Sequence, residues 1–355
     1  MKRKVAILFG GRSVEHEISL RSARNVHEHI DKSVFDIILI GITKSGDWYL
    51  QSKVDQNIST TNPLKLKLSA KAPAFIDANN IEMPVDIVFP VLHGTDGEDG
   101  SIQGMIKAMG LPIAGSSVLG SAVAMDKIVS KKLLQQSGLP VAGSLYFDNT
   151  QRTEYSFEKV VNELGLPFMV KAADQGSSIG VSKVTDQKTY ETALDDSFSY
   201  SSSVLLEEFI EGRELECGIL GNEDPKSTDP GEIILKKDFD FYTYEAKYQD
   251  DEAIDIVVPA DIPDDVRIKI REVSEKAFLA LSCNDFSRVD IFYTKDGRVL
   301  VNEINTIPGF TDVSMFPVLW GNMGISYTDL ITEIIRLATE RWQKETKLNT
   351  SYANA

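Results

Sequence analysis

Residues 288–305 read RVDIFYTKDGRVLVNEIN, two runs of β-forming residues on either side of Asp296-Gly297. Asp-Gly between such runs is a strong signal for a two-residue turn, so this stretch predicts a β-hairpin. With the turn centred there, Asp290 lies directly opposite Glu303. Side chains alternate between the two faces of a strand, so both carboxylates lie on one face of the hairpin.

Arg288 and Asn305 form the next pair on the same face. Two facing carboxylates repel each other and destabilise a hairpin unless a cation lies between them. The oxygens of Asp290, Glu303 and Asn305 suit Mg²⁺ or Mn²⁺ better than zinc. The hairpin therefore predicts a divalent-metal site. The alternative is a solvated polar face, and a one-residue register slip would split the set across two faces.

The composition is that of a globular protein with two or three domains, with 355 residues, 42% of them hydrophobic. A formal net charge of −16 argues against nucleic-acid and anionic-membrane partners, because both need a basic surface. Two cysteines, Cys217 and Cys283, predict a reducing compartment rather than a disulfide scaffold. We find neither a signal peptide nor an apolar segment that could span a bilayer, and we expect a cytoplasmic protein.

The first third of the chain alternates predicted strands with helices, which indicates an open, mostly parallel α/β sheet. Such sheets bind ligands beyond the carboxyl ends of their strands, where residues 10–17 and 93–100 are rich in glycine and polar side chains. The strands are predicted at Val5–Phe9, Phe35–Ile42 and Val85–Leu92, with a helix over Ile18–Ile30.

Domains are predicted at residues 1–116, 117–211 and 212–345, followed by a disordered tail at 346–355. The later helices are predicted over Val118–Gln136, Asp264–Ser282 and Tyr327–Trp342, and residues 222–259 are expected to be loop-like.

A nucleotide site needs an unusual device here, because the sequence has no P-loop and no G-x-G fingerprint. Residues 175–180, QGSSIG, can wrap phosphate oxygens with N–H groups and hydroxyls, and Lys171 supplies a positive charge nearby. Alone, this segment would be read as an ordinary hairpin loop. Together with the lysine and the acidic hairpin, it favours phosphate binding.

Several acidic and polar positions have two readings each. Glu207-Glu208 and Glu214 form either a hinge for a purine and its ribose or a solvated strand end. Glu15 either complements a helix dipole or holds an ammonium group. His93 ends a central strand as a structural or a functional residue, and Gly309 makes a turn that can also offer its N–H to an oxyanion.

Six blocks of sequence together resemble the D-alanine–D-alanine ligase family, which is similar to other ATP-grasp enzymes. The resemblance runs from about residue 4 to residue 342. The blocks are residues 10–20, 93–100, 125–127, 244–248, 288–290 and 302–311.

The resemblance implies a three-domain ATP-grasp architecture, α/β with an α+β ATP-grasp part, and ATP held between the second and third domains. It implies ligation of two D-alanine molecules for peptidoglycan precursor synthesis, through an acyl phosphate. It also implies two Mg²⁺ or Mn²⁺ ions and a homodimer. A D-alanine–D-lactate or D-serine ligase, another carboxylate–amine ligase, or a non-catalytic ATP-binding module are the alternatives.

The resemblance further implies a role for individual residues. The nucleotide would be held by Lys127, Lys171, Ser178, Glu207, Glu208, Phe209, Ile210, Glu214 and Asn302. The metal ligands would be Asp290, Glu303 and Asn305. Glu15, linked to Ser177 and Tyr248, would hold the amine of the first D-alanine, with His93 as a further substrate-binding residue. Arg288 and the Gly309 amide would form the oxyanion hole. The second D-alanine would be held by Lys247, Ser314 and Met315.

In the family that the sequence resembles, members with different acceptors differ near two of these positions. Tyr248, on a loop implied to close the site, and Met315 match the dipeptide-forming members of the family. Asp312 departs from the family pattern beside Ser314, and would affect the choice of second substrate if it pointed inward.

Overall fold

The protein is described by a computed structural model over residues 2–69, 71–235 and 254–349. Lys247 and Tyr248 lie outside these ranges, as does the end of the predicted tail, residues 350–355. Within them, no helix has the length and apolar character needed to cross a bilayer.

The N-terminal part contains a four-stranded sheet of order β3-β2-β1-β7 and a small antiparallel sheet of order β4-β5-β6. Strand β1 pairs in parallel with β2 and β7, and β3 adds an antiparallel edge, so the predicted, mostly parallel sheet is confirmed. The elements are β1 Arg3–Gly10, α1 His16–His29, β2 Phe35–Ile42, β3 Trp48–Gln51, β4 Lys65–Lys67, β5 Ala74–Ile76, β6 Glu82–Met83, β7 Ile87–Val91 and α2 Ser101–Met109.

Strand β1 is apolar on both faces because helices cover both sides of the sheet. Val5, Ile7 and Phe9 belong to a core with residues of α1, and Ala6 and Leu8 belong to a second core with residues of α2. The polar segments after β1 and β7 are thereby presented together at the carboxyl edge of the sheet.

The central part is a sheet of order β10-β9-β11-β8 with antiparallel neighbours throughout. One face packs on two helices, which bury Phe168 and Val170 against Tyr190. The elements are α3 Val118–Met125, α4 Lys127–Gln136, β8 Ser144–Asp148, a 3-10 helix at Asn149–Glu154, α5 Phe157–Leu164, β9 Phe168–Ala172, β10 Val181–Val184, α6 Gln187–Tyr200 and β11 Ser203–Glu208.

The single helix predicted over Val118–Gln136 is wrong, because it breaks at Asp126. The Asp126 carboxylate accepts the N–H groups of Ile128 and Val129, which caps a new helix. The break places Lys127 in the first turn of α4, where its own N–H donates to the Ala173 carbonyl.

The third part is a sheet of order β15-β14-β12-β16-β17, with β13 paired to β12. The loop-like region predicted at residues 222–259 is wrong where β13, β14 and β15 lie, because β13 pairs with β12 and the apolar runs of β14 and β15 extend the sheet. Residues 236–253 of that region lie outside the described ranges. The elements are β12 Gly212–Gly221, β13 Lys226–Ser227, β14 Gly231–Leu235, β15 Ile254–Val257, α7 Asp264–Ala280, β16 Asp285–Thr294, β17 Val299–Asn305, α8 Met315–Asn322 and α9 Tyr327–Glu345.

The hairpin of β16 and β17 has the predicted pairing but not the predicted turn. Asp290 lies opposite Glu303, as expected. The loop has three residues, because Thr294 and Arg298 still form a backbone hydrogen bond, and Gly297 adopts a left-handed φ of 83°. The register then shifts next to Asp290, which cancels the extra loop residue and restores the pairing.

A buried ion pair joins the third part of the chain to the N-terminal part. The fully buried Asp285 carboxylate accepts the Gly115 N–H and a guanidinium N–H of Arg341, each at 2.9 Å. The same Arg341 nitrogen donates to the carbonyl oxygens of Ile113 and Gly115, each at 2.9 Å. This ion pair anchors the start of β16 and helix α9 to the edge of the N-terminal part.

Replacing Asp285→Asn should lower the free energy of unfolding by about 3–5 kcal/mol, because it leaves the buried Arg341 charge uncompensated. Asparagine tolerates the left-handed φ of 61° at this position, so backbone strain adds little. The measurement is urea unfolding at neutral pH. Glu345→Gln is the control, because that carboxylate is 39% exposed beside the same arginine and should cost under about 1 kcal/mol. Equal losses would contradict this account.

Candidate functional site

Two adjoining cavities of about 660 and 450 Å³ open between the three parts of the chain. The larger is lined by N-terminal residues together with the loop after β17, and the smaller by residues of the two later sheets. Lys127, Ser177 and Glu303 line both cavities, so the two form one continuous cleft.

The polar face of the hairpin lies in this cleft. Arg288 forms two hydrogen bonds to the Asp290 carboxylate, from Nε at 2.7 Å and from a terminal nitrogen at 2.8 Å. Its Nε also lies 3.0 Å from a carboxylate oxygen of Glu216 on β12, and Asn305 donates to Asp290 at 3.0 Å. Burial lowers the pKa of Arg288, but Asp290 and Glu216 outweigh it, so Arg288 stays charged.

The apolar face of the hairpin fixes the strand register, and so it also fixes which residues lie on the polar face. Val289, Ile291, Val301 and Ile304 are buried in the core beneath the third sheet. A register slip of one residue would bring charged side chains into that core, which would be costly. The apolar face therefore holds Asp290 and Glu303 opposite each other in the cleft.

The oxygen donors on this face fit a hard divalent cation. Asp290 and Glu303 supply carboxylates, and Asn305 supplies an amide oxygen. In the part of the chain that the structure describes, no group of three or more His, Cys, Asp or Glu side chains could hold a metal ion. A site here therefore depends on these two carboxylates, the amide and oxygens from a ligand. Arg288 already offsets part of the charge repulsion that suggested a cation.

A buried ion cluster lies on the opposite wall of the smaller cavity. The Glu207 carboxylate contacts the ammonium groups of both Lys131 and Lys171, the latter at 2.5 Å. Burial alone would raise the pKa of Glu207, but the charges of Lys171 and Lys131 outweigh it and bring the pKa to about 2. Glu207 therefore stays ionised and holds Lys171 at the cavity wall.

The phosphate-binding candidate, residues 175–180, lies in the loop that connects β9 to β10, at the junction of the two cavities. The Lys127 ammonium donates to the Gln175 carbonyl in this loop. Ser177 and Ser178 both have left-handed φ values, 50° and 60°, which turn the backbone sharply into the cleft. The break at Asp126 and this loop together place Lys127 and both serines on the wall of the smaller cavity.

The predicted hinge residues line the smaller cavity at its outer end. Glu208, Phe209, Ile210 and Glu214 are found there with Asn302 from the hairpin. Glu208 is partly engaged already, because it accepts the Gly143 N–H at 2.9 Å.

The acidic end of the larger cavity contains Glu15, His93 and Glu98. Glu15 is buried, and Gly94 and Gly176 lie so close to its carboxylate that a side chain at either would contact it. Burial and the charge of Glu15 raise the pKa of Glu98 to about 8. Near neutral pH Glu98 is therefore mainly protonated and adds little negative charge beside Glu15.

Both ring nitrogens of His93 are engaged by protein atoms. Nδ1 contacts the Ile307 carbonyl at 2.8 Å, and Nε2 contacts the Ser22 hydroxyl at 3.0 Å. Burial lowers the pKa of His93, so the ring is neutral. The predicted substrate contact of His93 would have to replace one of these bonds.

The predicted acceptor side lies at the far wall of the larger cavity, where Gly309, Ser314 and Met315 are found. The Ser314 hydroxyl accepts the Thr311 N–H at 2.9 Å, and Met315 is buried at the start of α8. Asp312 lines the cavity with an exposed side chain.

The cleft thus brings together every predicted site residue that the structure describes. Lys247 and Tyr248 lie outside the described residues. Three contributors were missed by the sequence reasoning, Lys131, Glu98 and Glu216. Glu216 follows Glu214 at the spacing that places both on one face of a strand, and this signal could have found it. Nothing in the sequence around Lys131 indicates a buried lysine.

Sequence profiles of known families match most of the chain. The profile described as "D-ala D-ala ligase N-terminus" matches residues 4–116, and the one described as "D-ala D-ala ligase C-terminus" matches residues 133–336. The D-alanine–D-alanine ligase of Shouchella clausii is 44% identical, covering 99% of this chain and 98% of that protein. D-alanine–D-alanine ligase A of Escherichia coli K12 is also 44% identical, with 99% of each chain covered.

Solved structures show the same likeness. The D-alanine–D-alanine ligase from Coxiella burnetii superposes with a TM-score of 0.87 at 33% identity, covering 98% of this chain and 96% of that one. The VanG D-Ala:D-Ser ligase from Enterococcus faecalis superposes with a TM-score of 0.86 at 34% identity, covering 95% and 100%. These likenesses confirm the predicted fold class.

Glu207→Gln should remove the partner of two buried lysines and lower the free energy of unfolding at neutral pH by about 3–5 kcal/mol. It should also change the acid dependence of stability. The folded-state pKa of Glu207 is lowered from 4.5 to about 2, so its contribution is complete above pH 4.5 and is lost as pH falls towards 2. Urea unfolding across this pH range should show a smaller acid loss in the variant. An identical pH profile would contradict the assignment.

Proposed function

Because this chain belongs to the D-alanine–D-alanine ligase family, we propose that it joins two D-alanine molecules to D-alanyl-D-alanine at the expense of ATP. The product would serve peptidoglycan precursor synthesis. The observation that carries the proposal is the cleft. One continuous space is bordered by a carboxylate hairpin, two lysines and, at its far end, a buried glutamate.

The smaller cavity is proposed to hold ATP. Phe209, Ile210 and the neighbouring Glu207 and Glu208 would line the adenine, and Glu214 would bind the ribose hydroxyls. Lys127, Lys171 and the Ser178 segment would contact the phosphates, with Asn302 beside them. The support is that these side chains, including both lysines, border a single cavity. Lysine acts as a point charge on phosphate oxygens.

Asp290, Glu303 and Asn305 are proposed to hold two Mg²⁺ or Mn²⁺ ions. Such ions would neutralise charge on the phosphate oxygens of the nucleotide. The support is the chemistry of the donor set, two facing carboxylates and an amide on the wall where the two cavities meet.

The larger cavity is proposed to hold the amino acids. Glu15, linked to Ser177 and Tyr248, would bind the ammonium group of the first D-alanine, with His93 near it. Lys247, Ser314 and Met315 would bind the carboxylate of the second D-alanine. Asp312 borders the same cavity, and its exposed side chain leaves room for an effect on acceptor choice.

The reaction would proceed in two displacements. A carboxylate oxygen of the first D-alanine attacks the γ-phosphorus of ATP, ADP leaves, and a D-alanyl phosphate forms. The amine of the second D-alanine then attacks the carbonyl carbon, and phosphate leaves with loss of a proton from nitrogen. Arg288 and the Gly309 amide would stabilise the oxyanion that forms after the amine attacks and before phosphate leaves. The protein otherwise positions reactants and excludes water.

We also propose a compartment, domain boundaries and an oligomeric state for the enzyme. The cytoplasm is the compartment that supplies ATP. Domain boundaries near residues 116 and 211 agree with the separation of the three large sheets along the chain. A homodimer is implied by the family resemblance, and light scattering on the purified protein would test it.

Glu303→Gln should reduce turnover by at least about 10²-fold, because Glu303 borders both cavities and is proposed to bind the metal. Turnover is measured as ADP release that depends on D-alanine and Mg²⁺. Glu223→Gln is the matched control, since Glu223 forms a surface ion pair with Lys344 far from the cleft. Unchanged turnover in Glu303→Gln would remove the metal assignment.

With wild-type protein, D-alanine should be the preferred acceptor over D-serine and D-lactate. The curated relatives at 44% identity are named D-alanine–D-alanine ligases, whereas the D-Ala:D-Ser ligase is 34% identical. Competition assays with equal acceptor concentrations, analysed by mass spectrometry of the products, give the ratio directly. A majority of D-alanyl-D-serine or D-alanyl-D-lactate would replace the proposed function with the alternative.

A further inference from the structure

The loop after β17, residues 306–310, is hydrogen-bonded by side chains of the N-terminal part. We call it the Gly309 loop. Glu98 accepts the Ile307 N–H at 2.8 Å, and His93 donates from Nδ1 to the Ile307 carbonyl at 2.8 Å. Both backbone polar groups of one residue are therefore held by side chains that follow strand β7.

Ser22 on helix α1 is the third side chain that binds this loop. Its hydroxyl accepts the Phe310 N–H at 3.2 Å and lies 3.0 Å from His93 Nε2. In the neutral ring Nδ1 carries the proton, so Nε2 accepts from the serine hydroxyl. The hydrogen bonds thus run in one consistent direction, from Phe310 through Ser22 and His93 to Ile307.

The same N-terminal loop touches the candidate ammonium binder on its other side. The Gly94 N–H donates to the second oxygen of Glu98 at 2.9 Å. A side-chain carbon at Gly94 would lie only 2.5 Å from a carboxylate oxygen of Glu15. Residues 93–98 therefore fill the space between Glu15 and the Gly309 loop.

We propose that His93, Glu98 and Ser22 are positioning residues that set the distance between the Glu15 carboxylate and the Gly309 amide. The first substrate would be held at its ammonium end by Glu15 and at its reacting carboxyl end by Gly309, and this spacing decides its orientation. The inference rests on the proposed function. It assigns His93 an indirect role through the backbone of Ile307.

The buried side chains of His93 and Glu98, which bind the backbone of Ile307, could also contribute to stability alone. The two roles differ in what they change. A stabilising role lowers the resistance to unfolding and leaves the turnover of the folded protein intact. A positioning role lowers kcat while KM for ATP stays constant, because the phosphate-binding lysines are held by separate contacts.

Glu98→Gln is the most direct variant. Each carboxyl oxygen of Glu98 accepts one N–H group, which it can do in the protonated as well as the ionised form, whereas a glutamine amide accepts through its oxygen alone and turns its own N–H₂ towards the other donor. We expect kcat to fall about 10²-fold, the usual effect of misplacing a reacting group by about 1 Å, with KM for ATP within about 3-fold of wild type. Ser22→Ala, a smaller change, should lower kcat about 10-fold in the same manner.

Gln103→Met is the matched control. Gln103 is buried and donates to the Gly97 carbonyl at 2.7 Å, so it supports the same N-terminal loop without a hydrogen bond to the Gly309 loop. This variant should lose stability with little change in kcat. Hydrogen exchange of the Ile307 and Phe310 amides should rise in Glu98→Gln and Ser22→Ala but not in the control.

The outcomes separate this inference from the proposed function. If wild type makes no dipeptide, the proposed function fails and the positioning role fails with it. If wild type is active but Glu98→Gln and Ser22→Ala match Gln103→Met in both kcat and amide exchange, the positioning role alone is overturned. A fall in kcat with faster exchange of these two amides supports it.

Discussion

The arrangement of the cleft depends on one constraint, the pairing of Asp290 with Glu303 across the terminal hairpin. The apolar face of this hairpin is buried, so its register cannot slip without bringing charge into the core. The register shift beside Asp290 is what reconciles a three-residue loop with that pairing. Once the register is set, Arg288, Asp290, Glu303 and Asn305 share one face in the cleft.

The cleft has positively charged side chains on its walls, although the whole chain has a net negative charge. The formal net charge is −16, yet lysines and Arg288 line the walls where phosphate would lie. Each of these cations is held by a partner. Glu207 holds Lys171 and Lys131, the Gln175 carbonyl holds Lys127, and Asp290 holds Arg288. An acidic protein can therefore offer a local site for a polyanion. The positive side chains of this site are already held in place, so they do not need to reorganise when the polyanion binds.

The parts of the fold that were predictable have a strong local signal. Strands β1, β2 and β7 are apolar runs, and the hairpin carries its own turn residues, so both were found from sequence. Helix α3 ends at Asp126 because a side chain caps the next helix, a choice that hydrophobic periodicity does not reveal. Strands β14 and β15 have only five and four residues, and it is their pairing with each other and of β14 with β12 that shows they belong to the sheet.

Some residues of the candidate site were also predictable from sequence, and others were not. The hairpin carboxylates and the other candidate site residues were identified from sequence, and every one of them that the structure describes lines the cleft. Lys131 and Glu98 act through tertiary contacts with residues distant in sequence, Glu207 and Ile307. The dual engagement of His93 could not be foreseen either, since its partners come from α1 and from the loop after β17.

The central claim is that the hairpin face binds divalent cations together with a nucleotide. Mn²⁺ binding measured by electron paramagnetic resonance, with a non-hydrolysable ATP analogue present, tests it most directly. The account predicts two Mn²⁺ bound per chain, and nucleotide affinity that falls sharply when the ions are chelated. Nucleotide binding that is equally tight without Mn²⁺, or no Mn²⁺ bound in its presence, would contradict it.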